Sequence, residues 1–131
     1  MNDVSRKLWL RRVLLAKVIA CVLVWGLPAL LGPPALLRLF GVEMPSDPTI
    51  LRGFGALATA LGLAYWYAYR EPIRNVAIIR FGVLDNGLSA LTILAIAVTV
   101  GLSSWFYWVS LGLLLFFCAA FLLLMPREVD K

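Results

Sequence analysis

The chain contains no histidine among its 131 residues, which removes the commonest ligand for haem, chlorophyll and zinc. Its two cysteines, Cys21 and Cys118, form no C-x-x-C motif, so no metal ribbon or dithiol redox centre is written into the sequence. They read instead as small buried apolar residues, able to meet only if the first and fourth apolar segments are neighbours. Acidic residues are few as well: seven Asp and Glu stand against twelve Lys and Arg, and only 15% of the chain is charged. There is no glycine-rich phosphate loop, no catalytic triad and no carboxylate pair in a soluble stretch. An autonomous enzyme is therefore the weakest reading, since neither an activated nucleophile nor a metal site is in view.

What is present is apolar. Hydrophobic residues make up 63% of the chain and the mean hydropathy is +0.93. An average soluble domain carries roughly a quarter charged residues, so the composition is that of an integral membrane protein. About 20 apolar residues are needed to cross the hydrocarbon layer. Four segments satisfy this, at about residues 13–31, 50–69, 75–100 and 103–125. They predict an all-α polytopic membrane protein, a single domain over residues 1–131 built as an antiparallel four-helix bundle. The connectors "REPIRN" and "GLSS" are short enough for helical hairpins. The longer "GPPALLRLFGVEMPSDP" is punctuated by prolines, and its Pro34–Val42 stretch predicts a short interfacial helix between helices 1 and 2.

Ten of the twelve Lys and Arg fall at the two ends of the chain or around the 70–80 connector, and only Arg38 and Arg52 lie on the other side. The positive-inside rule then puts both termini in the cytoplasm and the protein in the inner, cytoplasmic membrane. The same asymmetry accounts for a pI near 9.7 through contact with anionic lipid headgroups, so no nucleic-acid partner is needed. The basic, then apolar N-terminus resembles a secretory signal. Its long apolar run, the interrupting Lys17 and the Pro33–Pro34 pair in place of a small-residue cleavage site predict a retained span. On this register Lys17 lies about four residues inside the membrane and is expected to snorkel to the headgroups.

The stretch "RFGVLDNGLSALTIL" places Asp85 and Asn86 near mid-membrane. An acid facing lipid there would cost several kcal/mol, so it is expected to face protein. Gly82, Asp85, Asn86, Ser89 and Thr92 recur at three- and four-residue spacing and define one polar stripe, leaving Ile79, Leu84, Leu88 and Leu91 for the other faces. In helix 2, small rows at Ala56, Ala60, Ala64 and at Gly55, Thr59, Gly62 offer a close-packing surface for that stripe, with the Thr59 hydroxyl as a partner for Asp85. No cation is well placed. Arg80 is about 140° around the same helix, and Arg52 is too shallow and better matched to an ion pair with Glu43 or Asp47. Asp85 is then expected to remain protonated and donate its hydroxyl within the seam.

The clusters "YWYAY" (Tyr65–Tyr69) and "WFYW" (Trp105–Trp108) sit where aromatic belts are expected. Candidate ligand contacts are accordingly Asp85, Asn86, Arg80, Thr59, Ser89 and Tyr65, the last for a quinone or lipid head beside Arg70. Fastening helices together is an equally open role for Asp85 and Asn86.

Over most of the chain after Pro28, the run "LLRLFGVEMP…LRGFGALATALGLAYWYAYREPIRNVAIIRFGVLDNGLSALTIL" resembles the small DoxX-like and BphX-like four-helix membrane proteins. The likeness lies in an "LFG" element after helix 1, an R-x-x-G-A opening of helix 2, a basic hairpin and a polar residue midway along helix 3. It implies a four-helix inner-membrane fold and, for a few relatives, quinone or thiol redox chemistry. Two functions lead: an accessory or scaffolding subunit of a larger membrane complex, or a pocket binding or transporting a small hydrophobic ligand such as a quinone or lipid. No cofactor is evident from the residues themselves.

Overall fold

Helices account for about four-fifths of the described chain, residues 3–126 of the computed structural model, and no strand occurs among those residues. They are α1 (Asp3–Leu31), α2 (Pro34–Leu39), α3 (Thr49–Arg70), α4 (Val76–Thr99) and α5 (Trp105–Leu124). α1, α4 and α5 are long and apolar enough to cross a membrane. α3, although 22 residues long, falls short of them in apolarity. Arg52, Arg70 and three tyrosines dilute its apolar stretch.

α1 begins ten residues before the first apolar segment read from the sequence. Its early Arg and Lys residues are good helix formers, so the helix runs ahead of the hydrophobic stretch. Within it, Ala20–Gly26 widens into a π-helix, and the Leu27 N–H bonds to Val22 O, five residues back. Pro28 supplies the cause. It has no N–H for the carbonyl four residues earlier and its ring crowds that oxygen, so the preceding turns open by one residue.

The turns follow equally local rules. Gly41 (φ 68°) and Gly101 (φ 87°) take the left-handed conformation that ends helical segments. Ser104 accepts from the Phe106 N–H at the start of α5 and donates to Phe40 O, while the Phe40 ring packs against Trp105 and Phe106. The "LFG" element is thereby fixed over the N-terminus of α5. Asp47 accepts from both the Thr49 N–H and hydroxyl before α3, and these bonds hold its carboxyl below the usual range.

α1 is the central helix. It packs along its whole length on α3 and over its first half on α5, and α5 packs closely on α4. The small residues of α3 make the first contact possible. Gly55 lies against the Ala29–Leu30 backbone, Thr59 against Gly26, and Gly62 against Val18, Cys21 and Val22. The Gly55, Thr59, Gly62 row therefore faces α1 and not α4, and Ala56 and Ala60 point outward. Periodicity identified the small face correctly but not the helix it meets. α3 and α4, although joined by a short turn, touch only sparingly, and the gap between them holds the cavity described next.

The exterior is apolar, as lipid contact requires. Leu23, Leu63, Leu91, Leu115 and Leu123 are all more than half exposed. At the end bearing the N-terminus, Arg6 donates to Leu123 O and Met125 O at the end of α5, and the Arg11 guanidinium lies 5.0 Å over the Tyr69 ring. These bonds satisfy orphan carbonyls of a helix C-terminus.

Candidate functional site

Lys17 is the middle residue of α1, and its side chain is 2% exposed. It does not snorkel. The ammonium turns inward, donating to Asn86 Oδ1 at 2.6 Å and standing 3.9 Å from Asp85 Oδ2. Three aromatic rings surround it, those of Trp25, Phe117 and Tyr65, with centroids 4.9, 5.0 and 5.4 Å away. Cation–π attraction and a charge-assisted hydrogen bond take over the role that headgroup water would have played. The snorkelling expectation failed because the helix starts at Asp3. Arg11, six residues before Lys17, is the one at the aromatic border, and Lys17 lies about 9 Å deeper.

Lys17 is thus the cation that Asp85 was expected to lack. The Tyr65 hydroxyl, fully buried, lies 3.4 Å from the same Oδ2. Gly82 makes this approach possible, since a Cβ there would stand 2.8 Å from the Tyr65 hydroxyl and 3.0 Å from the Phe121 ring. Asn86, with no exposed surface, completes the set by donating from Nδ2 to Gly82 O. All four long helices contribute: α1 the lysine, α3 the tyrosine, α4 the acid and amide, and α5 the rings of Phe117 and Phe121.

The remaining sequence candidates separate into those that join this cluster and those that do not. Ser89 lines the adjoining cavity. Thr59 does not reach Asp85; its hydroxyl donates to Gly55 O in its own helix, 2.8 Å away. Arg80 is exposed and lies outside the cavity wall. Arg52 pairs with neither Glu43 nor Asp47 but donates to Ala29 O near the end of α1, at 3.0 Å. Among the described residues the ion pairs are Lys17–Asp85 and the exposed Arg74–Glu71. Ile79, assigned to an outer face, is fully buried, because the stripe turned to the core is Ile79, Gly82, Asn86 and Ala90.

The cysteines do not pair, although α1 and α5 are neighbours. Cys21 sits beside Lys17 and Gly62, whereas Cys118 points to Val83 O on α4. Sequence reasoning missed Lys17, Trp25 and Ser110. The last two are joined by a buried hydrogen bond, Trp25 Nε1 to Ser110 Oγ at 3.0 Å. The available signal was the i to i+4 run of Lys17, Cys21 and Trp25 along one apolar helix.

Above the ion pair lies a cavity of about 690 Å³. Its floor is Lys17, Cys21 and Asp85, and its walls are chiefly apolar side chains of α3 and α4. Phe106, Ser110 and Leu114 form the back, and Gly101–Ser103 the rim. Leu57 and Leu88, on opposite walls, are 66% and 64% exposed, so the mouth opens laterally between α3 and α4. The volume is in the range of sites that hold drug-sized molecules, with apolar walls and a few convergent polar groups. No family model, curated protein or solved structure matches this chain.

Proposed function

We propose that the protein binds a small, largely apolar molecule from the bilayer, with the ligand's polar end directed to the Lys17–Asp85 pair. One observation carries this reading: the cavity lies over the most buried charged group among the described residues and opens sideways, where a membrane-dissolved molecule would enter. A pair that only fastened helices would be enclosed by packing, as Asn86 is.

On this reading all four long helices cross the membrane, α1 and α3 running antiparallel, with α2 at the interface. The support for α3 as a span is its length of roughly 33 Å and its close packing along α1. Ten basic residues on one side favour cytoplasmic termini in an inner membrane, and the resemblance to DoxX-like proteins implies the same topology. A quinone, held in its reduced quinol form, or a lipid is the natural occupant class for binding or transport. Purification in lipid nanodiscs followed by native mass spectrometry tests the proposal. A retained apolar molecule, lost when Ser89→Phe fills the cavity, is expected. Stable co-isolation with other subunits and an empty cavity would reject it and return the accessory-subunit role to the front.

A further inference from the structure

The ligand-pocket reading leaves open what kind of polar end the cavity accepts, and the arrangement of lone pairs and protons at its floor narrows that choice. Lys17 lines the floor, but its ammonium is already engaged by the Asn86 amide oxygen, the Asp85 carboxylate and three rings, and its side chain is only 2% exposed. The Asp85 side chain is 24% exposed. Both of its neighbours, the Lys17 ammonium and the Tyr65 hydroxyl, address the same oxygen, Oδ2. Among the described residues no donor reaches Oδ1. The Thr92 hydroxyl, on the cavity wall, spends its proton on Leu88 O, which leaves its oxygen as an acceptor. The charged floor therefore presents one open acceptor, Asp85 Oδ1.

We infer that the cavity selects an uncharged apolar molecule ending in a hydroxyl donor, an alcohol or a phenol, whose O–H bonds to Asp85 Oδ1. This inference rests on the cavity being a ligand site. A carboxylate would meet the Asp85 carboxylate at close range, and the Lys17 ammonium is already turned to Asn86 and Asp85. An alkylammonium would place a second cation beside Lys17 on a carboxylate that Lys17 already neutralises. A neutral hydroxyl adds no charge to a pair whose net charge is zero, and it supplies the donor that Oδ1 lacks.

The full chain is reconstituted in phosphatidylcholine nanodiscs, and quenching of tryptophan emission is titrated with 12-bromododecanol, 12-bromododecanoate, 12-bromododecylammonium and 1-bromododecane. Trp25 lines the cavity and reports its occupancy. The alcohol is expected to quench saturably with an apparent Kd about tenfold below those of the other three. Asp85→Asn, whose neutral amide oxygen is a weaker acceptor, should cut that advantage to about threefold or less while leaving the bromoalkane unchanged. Should Asp85→Asn fail to fold, the Lys17→Met/Asp85→Asn pair, which removes both charges together, takes its place. Equal affinities for alcohol and alkane, or a tighter acid or ammonium, would overturn the hydroxyl assignment while leaving the pocket intact. Absence of saturable quenching by any of the four would overturn the pocket reading itself.

Discussion

Replacing Lys17 by methionine keeps most of the side-chain volume and removes the charge, which isolates the electrostatic role of the buried ammonium. At 3.9 Å from Asp85, the gross attraction is about 4 kcal/mol with an effective dielectric constant near 20. The hydrogen bond to Asn86 adds roughly 1.5–3 kcal/mol as a charged donor to a neutral acceptor. Against these stands the desolvation of the ammonium, of several kcal/mol, which methionine does not incur. The net effect of removing one partner from such a pair is typically 3–5 kcal/mol. The lower end, about 3 kcal/mol, is expected here, because Asp85 keeps some access to the cavity. In Lys17→Met/Asp85→Asn no charge is left behind, so the loss should shrink to about 1 kcal/mol. Asp85→Asn alone should also cost about 3 kcal/mol, because it leaves the buried ammonium unpaired, so the coupling energy comes to about 5 kcal/mol. Reversible unfolding in mixed dodecylmaltoside and dodecyl sulfate micelles, followed by far-ultraviolet circular dichroism, reads all three variants. Additive losses, with coupling below about 0.5 kcal/mol, would refute the claim that these two side chains form one electrostatic unit.

Two further substitutions probe the packing that frames the cavity. Gly55→Ala drives a methyl group into the Leu30 backbone nitrogen and to within 2.7 Å of Ala29 C, so the α1–α3 contact must open, with a loss of about 2 kcal/mol or more in the same assay. Gly53→Ala, two residues earlier, meets nothing within 4 Å and should be neutral or stabilising by up to about 1 kcal/mol. Ser110→Ala strands the Trp25 indole N–H in a buried site and should cost about 1–2 kcal/mol; Ser110→Thr, which keeps an acceptor oxygen, should recover part of that loss.

Much of this molecule could be read from hydropathy because lipid imposes one rule on every span. The positions of α4 and α5, the hairpin turns and the inward placement of Asp85 all follow from counting apolar residues and pricing an exposed acid. The same counting misled at Lys17. A hydropathy window begins where charges stop, so it started the first span near Val13 and put the lysine at the surface, whereas the backbone is helical from Asp3 onward. Partner choice was the second blind spot. Spacing shows that Thr59 shares a face with Gly55 and Gly62, but nothing in one sequence says whether that face meets α1 or α4. Arg52 was misassigned for a similar reason: the Ala29 carbonyl it satisfies belongs to the end of another helix, and such backbone acceptors leave no mark in side-chain chemistry. The cavity was unreadable for a different cause, since it arises from a contact that α3 and α4 largely fail to make.

Pro28 stands well away from the lysine, yet it governs which way the indole looks. Over eight residues of ordinary helix, positions 17 and 25 diverge by about 80° around the axis, at about 100° per residue. Each residue of the widened Ala20–Gly26 stretch turns through a smaller angle, roughly 80°, which nearly cancels that divergence. An imino acid at the far end of the helix thereby works as an angular vernier, bringing the ring and the ammonium onto a common bearing. A chain with the same side chains and a straight first helix would carry every polar group of this site and still aim one of them elsewhere.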